Sequence, residues 1–165
     1  MKKALFILSV AAVAGCNMSS DRKSGNDADT AGIATETLHS QKSLFTGNPK
    51  GCYRYTAVRD TYDIKINGSG NNVNGMMHFN NFEKDDSRGN FTGTAINDSV
   101  FKLIYKFESE GMQSTREVFL KYNGNEMITG IGEEDVNGDS AYIKDPAALS
   151  FTGAVYQKID CSKMQ

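Results

Sequence analysis

Most chemistry at neutral pH needs a positioned histidine, an activated cysteine or a cluster of carboxylates. This 165-residue chain holds two histidines, His39 and His78, three cysteines, Cys16, Cys52 and Cys161, and no tryptophan. A Ser-His-Asp triad would need a carboxylate and a nucleophile placed around His78, and no nucleophile-elbow sequence is present. His78 falls at a polar position of an alternating apolar run, so a solvent-facing strand histidine is expected. Neither Cys52 nor Cys161 stands at a metal-ligand spacing from a histidine, which argues against zinc. The acidic run Glu133-Glu134-Asp135-Val136-Asn137-Gly138-Asp139 alternates oxygen donors around a glycine. The twelfth position counted from Asp135 is Pro146, which offers no side-chain ligand, so a solvated Asn-Gly hairpin is expected rather than a calcium loop. With 18 Lys+Arg against 20 Asp+Glu, the chain lacks the basic excess of a nucleic-acid binder. No catalytic constellation, metal or cofactor is therefore expected.

The cysteine with the clearest assignment is Cys16. Lys2 and Lys3 precede an apolar stretch over residues 4–14, which closes on Val13-Ala14-Gly15-Cys16. These are a positive n-region, a short h-region and a small-residue cleavage site. The stretch is well short of the roughly 20 residues a spanning helix needs, which weakens the alternative of a permanent membrane helix. Val-Ala-Gly-Cys resembles the lipobox of bacterial lipoproteins. That resemblance implies removal of residues 1–15 as a signal peptide, acylation of Cys16, and anchoring in the cell envelope through the attached lipid. Asn17, where an aspartate would retain such a protein in the inner membrane, implies the outer membrane.

Lipidation of Cys16 takes one thiol from an odd count and leaves Cys52 and Cys161 as a pair. A disulfide between them would tie the first recognisable strand to the end of the domain, and an exported protein meets an oxidising compartment. Two free buried thiols are the alternative.

The elements that could position a site begin late in the chain. Residues 16–49 are rich in Ser, Thr, Asp, Asn and Gly and read as a disordered tether. From Lys50 the texture changes to short alternating runs over residues 52–57, 61–67, 73–80, 90–97, 101–107, 116–122, 127–133, 140–144 and 154–159, broken by Gly, Asn and Asp. A single helical turn is expected at residues 145–149, where Pro146 suits the first helical position. Eight or nine strands joined by hairpin-sized loops predict an all-β domain over residues 50–165. An antiparallel up-and-down barrel removes the two open edges of such a meander, and a two-sheet sandwich is the alternative. By alternation Tyr53, Tyr55, Tyr62, Phe79, Phe101, Tyr105 and Phe107 share the apolar faces of their strands and should line the interior. There they could hold a small apolar ligand or form an ordinary aromatic core.

The lipobox, the polar tether, the start Gly51-Cys52-Tyr53, the motifs Val73-Asn74-Gly75, Phe91-Thr92-Gly93 and Ile128-Thr129-Gly130, and the late Cys161 together resemble small bacterial lipoproteins with lipocalin-like barrels. The segments Asn81-Phe82-Glu83-Lys84-Asp85 and Ser109-Glu110-Gly111-Met112-Gln113-Ser114-Thr115-Arg116-Glu117 look like an uncharacterised family of such lipoproteins. That second resemblance spans residues 51–161 and implies no activity. The expectation is a lipid-anchored envelope protein whose barrel binds a small apolar ligand without catalysis. The alternative is a structural or protein-interaction lipoprotein without a ligand cavity, whose partner would be another envelope protein.

Overall fold

The structure is a computed structural model that describes residues 43–164. Cys16, the expected signal peptide and residues 16–42 of the expected tether lie outside the described residues. Ten strands follow in chain order: β1 (Gly51–Ala57), β2 (Asp60–Ser69), β3 (Asn72–Asn80), β4 (Ser87–Ala95), β5 (Val100–Ser109), β6 (Met112–Tyr122), β7 (Glu126–Thr129), β8 (Glu134–Asn137), β9 (Ser140–Ile143) and β10 (Val155–Ile159). Two 3-10 turns, Pro146–Ala148 and Cys161–Lys163, complete the described elements. Asp145 caps the first, its carboxylate accepting from the Ala147 amide.

The sheet runs β5-β4-β3-β2-β1-β10-β7-β6 and closes on itself through a ten-residue antiparallel register between β5 and β6. This is an eight-stranded antiparallel barrel with a lipocalin-like all-β fold. β8 and β9 lie outside it as a hairpin, added to β6 by a short parallel pairing of Thr115 with Ser140 and Arg116 with Ala141. Closure removes the open edges that a meander of this length would expose to other chains. The Cys52–Cys161 disulfide joins β1 to the 3-10 turn after β10 across 109 residues of chain. It sits at the junction where the last barrel strand returns to the first.

The closest strand-to-strand approaches in the barrel fall at strand glycines. A Cβ placed on Gly75 would stand 1.8 Å from the Lys65 carbonyl oxygen, and one on Gly89 would stand 2.0 Å from the Lys106 carbonyl oxygen. β3 and β4 therefore approach their neighbours closer than any side chain permits, as expected where a small barrel turns a corner.

Two differences from the sequence reading follow from physical causes. Phe45 and Pro49, placed in the tether by the composition around them, are buried. The Phe45 ring meets Phe101 edge to face at 4.6 Å and Tyr122 at 5.7 Å. Asn71 Oδ1, in the β2–β3 turn, accepts from the amides of Leu44 at 2.8 Å and Phe45 at 3.1 Å. The Tyr53 hydroxyl donates to the Pro49 carbonyl, and the Tyr122 hydroxyl to that of Asn48. Residues 43–49 thus plug one end of the barrel, and the domain begins earlier than Lys50. The second difference is β7, which stops at Thr129 instead of running to residue 133. Beyond it Gly130 keeps one ladder bond to the Phe119 carbonyl, and the chain then leaves the barrel to form β8. Every residue of β8 is exposed, so that strand has no apolar alternation to announce it. Gly138 and Asp139 make its hairpin turn to β9, with Gly138 at φ 59°.

Candidate functional site

The barrel has two unlike ends. One is filled by the plug, whose Phe45 and Pro49 pack over Tyr53, Phe101 and Tyr122. The other carries the β1–β2, β3–β4 and β5–β6 connections and is open.

Around the open end runs an unbroken arc of six rings. Tyr156 lies 5.9 Å from Tyr55, Tyr55 lies 5.7 Å from Tyr62, and Tyr62 meets Phe79 edge to face at 5.1 Å. Phe79 meets Tyr105 at 5.6 Å, and Tyr105 stacks on Phe107 at 4.8 Å with the planes 13° apart. The arc follows from register. Tyr55 pairs with Tyr62 and Tyr62 with Phe79, so the three share a face on adjacent strands. Phe79 then faces Ser87 on β4, a residue small enough to let it reach Tyr105 on β5. The Ser87 hydroxyl is 3.1 Å from the Tyr105 hydroxyl. The Tyr62 hydroxyl donates to Asn81 Oδ1 at 2.9 Å. Burial holds the phenols of Tyr105, Tyr156 and Tyr62 above their ordinary range.

Two adjoining spaces lie inside this arc. An outer cavity of about 750 Å³ is walled by Tyr62, Phe79, Tyr105, Phe107 and Val118, with Glu83, Lys84, Asp85, Glu110 and Arg116 at its rim. An inner one of about 250 Å³ is lined mainly by apolar residues, Ile64, Met77, Leu120 and Ile143 among them. The two share Phe79, Arg116 and Val118 as lining residues. The inner cavity lies along the seam where β7 leaves β6 and β9 takes its place. Arg116 crosses that seam, its guanidinium donating to Glu134 at 3.2 Å. Glu117, on the outer face of β6, accepts from the Ile143 amide at 3.1 Å and pairs with Lys102. A carboxylate only 6% exposed is thereby satisfied.

Of the seven aromatic residues expected inside, Tyr55, Tyr62, Phe79, Tyr105 and Phe107 belong to the open arc. Tyr53 and Phe101 are also interior but sit under the plug, away from the mouth. Tyr156 completes the arc and was missed. Its run, residues 154–159, carries one large apolar residue on the inward face, so alternation alone did not mark it out.

His78 requires a correction. It is 6% exposed rather than solvent-facing, because its strand position sits in a row of interlocking polar groups on the barrel's outer face. Arg54 pairs with Asp63, Asp63 with His78 and His78 with Arg88 across β1 to β4. Arg54 binds both oxygens of Asp63 at 2.7 Å and also donates to the Lys163 carbonyl, so the 3-10 turn after β10 folds over the row. His78 Nε2 is 3.1 Å from Asp86 Oδ2, and Nδ1 is 3.1 Å from the Arg88 guanidinium. With both ring nitrogens engaged, the imidazole is built into the wall and not poised to take a proton from a nucleophile. Among the described residues, no group of three or more His, Cys, Asp or Glu side chains could hold a metal ion.

No known protein family, curated protein or solved structure matches this chain.

Proposed function

We infer that the protein is a lipid-anchored lipoprotein of the cell envelope, held at the outer membrane through Cys16, whose barrel is a non-enzymatic binding module for a small apolar ligand. The observation that carries the binding role is the open aromatic arc, whose outer space of about 750 Å³ and inner space of about 250 Å³ adjoin. Concave sites of this size, walled by aromatic and aliphatic residues with a few polar groups at the rim, are the usual form of a small-molecule site. The anchor is supported by Val13-Ala14-Gly15-Cys16, which resembles a lipobox, and a second acyl chain at the new amino terminus would make the attachment stable.

Native mass spectrometry of the barrel domain freed of its anchor tests the binding role. A small apolar molecule that stays bound in the gas phase and is released on unfolding is the expected result. A mass equal to the bare polypeptide, with no uptake from a membrane extract, would count against it. One observation favours a protein partner instead. Val58, at the tip of the β1–β2 turn, is wholly exposed and sits at φ 52°, where a β-branched side chain is strained. Phe82, on the neighbouring loop, is exposed under the Arg59 guanidinium. Apolar tips maintained in water at local cost suit a docking contact around the mouth.

A further inference from the structure

The mouth is apolar inside and charged at its rim, and the rim is unevenly charged. Glu83 and Asp85 come from the β3–β4 loop and Glu110 from the β5–β6 turn, against Lys84 and Arg116. Arg116 is already engaged by Glu134. Asp85 and Glu110 approach each other from two different loops, and among the described residues neither has a basic partner within ion-pairing distance. The two carboxyls share a hydrogen bond, and no basic group of the described residues neutralises the charge that remains on the pair. Beneath them lie Tyr62, Phe79 and Phe107, all half-buried and all lining the outer cavity. Phe107 has one face covered by Tyr105, and the remainder of its ring borders the space. The negative face of an aromatic ring attracts a cation, most strongly where water is excluded.

Resting on the binding role inferred above, we propose that the barrel selects amphiphiles with a cationic head: an alkyl amine or alkyl quaternary ammonium whose head lies between the Asp85–Glu110 pair and the rings of Tyr62 and Phe107, and whose tail enters the inner cavity. A shared hydrogen bond with Asp85, and then the repulsion of the two charges, hold the Glu110 carboxyl above its ordinary range, the state a bound cation would reverse. An anionic head would add a further negative charge at the same spot. A neutral head would leave the pair as it is.

The test uses residues 16–165 carrying Cys16→Ser, secreted into an oxidising compartment so that the Cys52–Cys161 bond forms. Calorimetric titration compares three probes of equal chain length below their micelle concentrations: dodecyltrimethylammonium, dodecyl maltoside and dodecyl sulfate. The cationic probe should bind about tenfold tighter than the maltoside, and the sulfate weakest. The double variant Asp85→Asn/Glu110→Gln, confirmed as folded by circular dichroism, should bind the cationic probe no tighter than the maltoside. Equal affinity for the cationic and neutral probes, or preference for the sulfate, overturns the charge selection and leaves the apolar binding role standing. A cationic preference that survives in the double variant overturns the assignment to these two carboxylates. Binding of none of the three removes both readings together.

Discussion

The ring of Phe45 stands edge to face on Phe101 at 4.6 Å, joining residues that precede β1 to the start of β5. Aromatic pairs in this geometry add about 0.5 to 1.5 kcal/mol beyond the area they bury. The contact makes one end of the barrel a packed core, while the other borders the outer cavity.

That asymmetry predicts opposite outcomes for two similar truncations. Phe45→Ala removes a ring buried on all sides and should cost about 3 to 5 kcal/mol of stability. Phe107→Ala, at the half-exposed end of the arc, should cost clearly less and should instead weaken ligand retention. Urea denaturation of both variants, alongside ligand titration, measures the split. Equal losses of stability would mean that the mouth is as tightly packed as the plug.

The Cys52–Cys161 bond closes a loop of 109 residues. In the chain-entropy model a loop of that size contributes about 4 to 5 kcal/mol. The two thiols should resist alkylation in the native protein until a reductant is added. The Cys52→Ala/Cys161→Ala variant should unfold at a markedly lower urea concentration, with β1 and β10 the first strands to exchange their amide hydrogens.

Alkaline pH should unfold the barrel through its phenols. Burial is the largest cause holding Tyr53, Tyr105 and Tyr156 above the ordinary value of 10.0. In the unfolded chain these groups lose their protons near pH 10, while the folded chain keeps them to higher pH. The folded state therefore binds more protons in that window, and stability falls as pH rises through it. Below pH 10 the contribution is fully present. Phenolate absorbance should rise in two phases, an early one from exposed tyrosines and a late one coincident with loss of the β-sheet circular dichroism signal. A single smooth rise with the fold intact would mean that the three hydroxyls reach water in the native state.

The strands were legible where their inward residues are apolar, and illegible where the barrel opens. β2, β3 and β5 present Ile64 and Ile66, Val73 and Met77, and Phe101, Leu103 and Tyr105 to a packed interior, and alternation found them within a few residues. β4 and β6 begin at Ser87 and Met112, three and four residues before the alternation suggested. Their inward positions there are Ser87, Ser114 and Arg116, which share faces with Phe79, Phe107 and Tyr105. A wall that borders a cavity needs no continuous apolar face, so the pattern fades at the candidate site itself. The plug escaped for a different reason. Phe45 is a lone ring in a polar stretch, and its burial depends on Asn71, 26 residues away in sequence. The row that buries Asp63 and His78 was hidden too, because a buried ion pair on an outer face has the same residue types as a solvated one.

Gly75 offers the most direct test of how the barrel closes. An alanine Cβ at this position would sit 1.8 Å from the Lys65 carbonyl oxygen and 2.8 Å from the Phe91 ring. The first obstacle is backbone already paired in the β2–β3 ladder, which cannot rotate away as a flexible side chain can. Relief would require β3 to separate from β2 at the centre of their nine-pair register, where Gly75 faces Ile66. Gly75→Ala should therefore cost more than the about 1 to 3 kcal/mol typical of core overpacking, despite adding one methyl group. Thr92→Ala, on the exposed face of β4, serves as a control and should shift stability by less than about 0.5 kcal/mol. Thermal unfolding of the two variants gives the comparison. A Gly75→Ala protein as stable as the control would show that β2 and β3 do not approach this closely, and the corner would have to be relocated to Gly89 or Gly93.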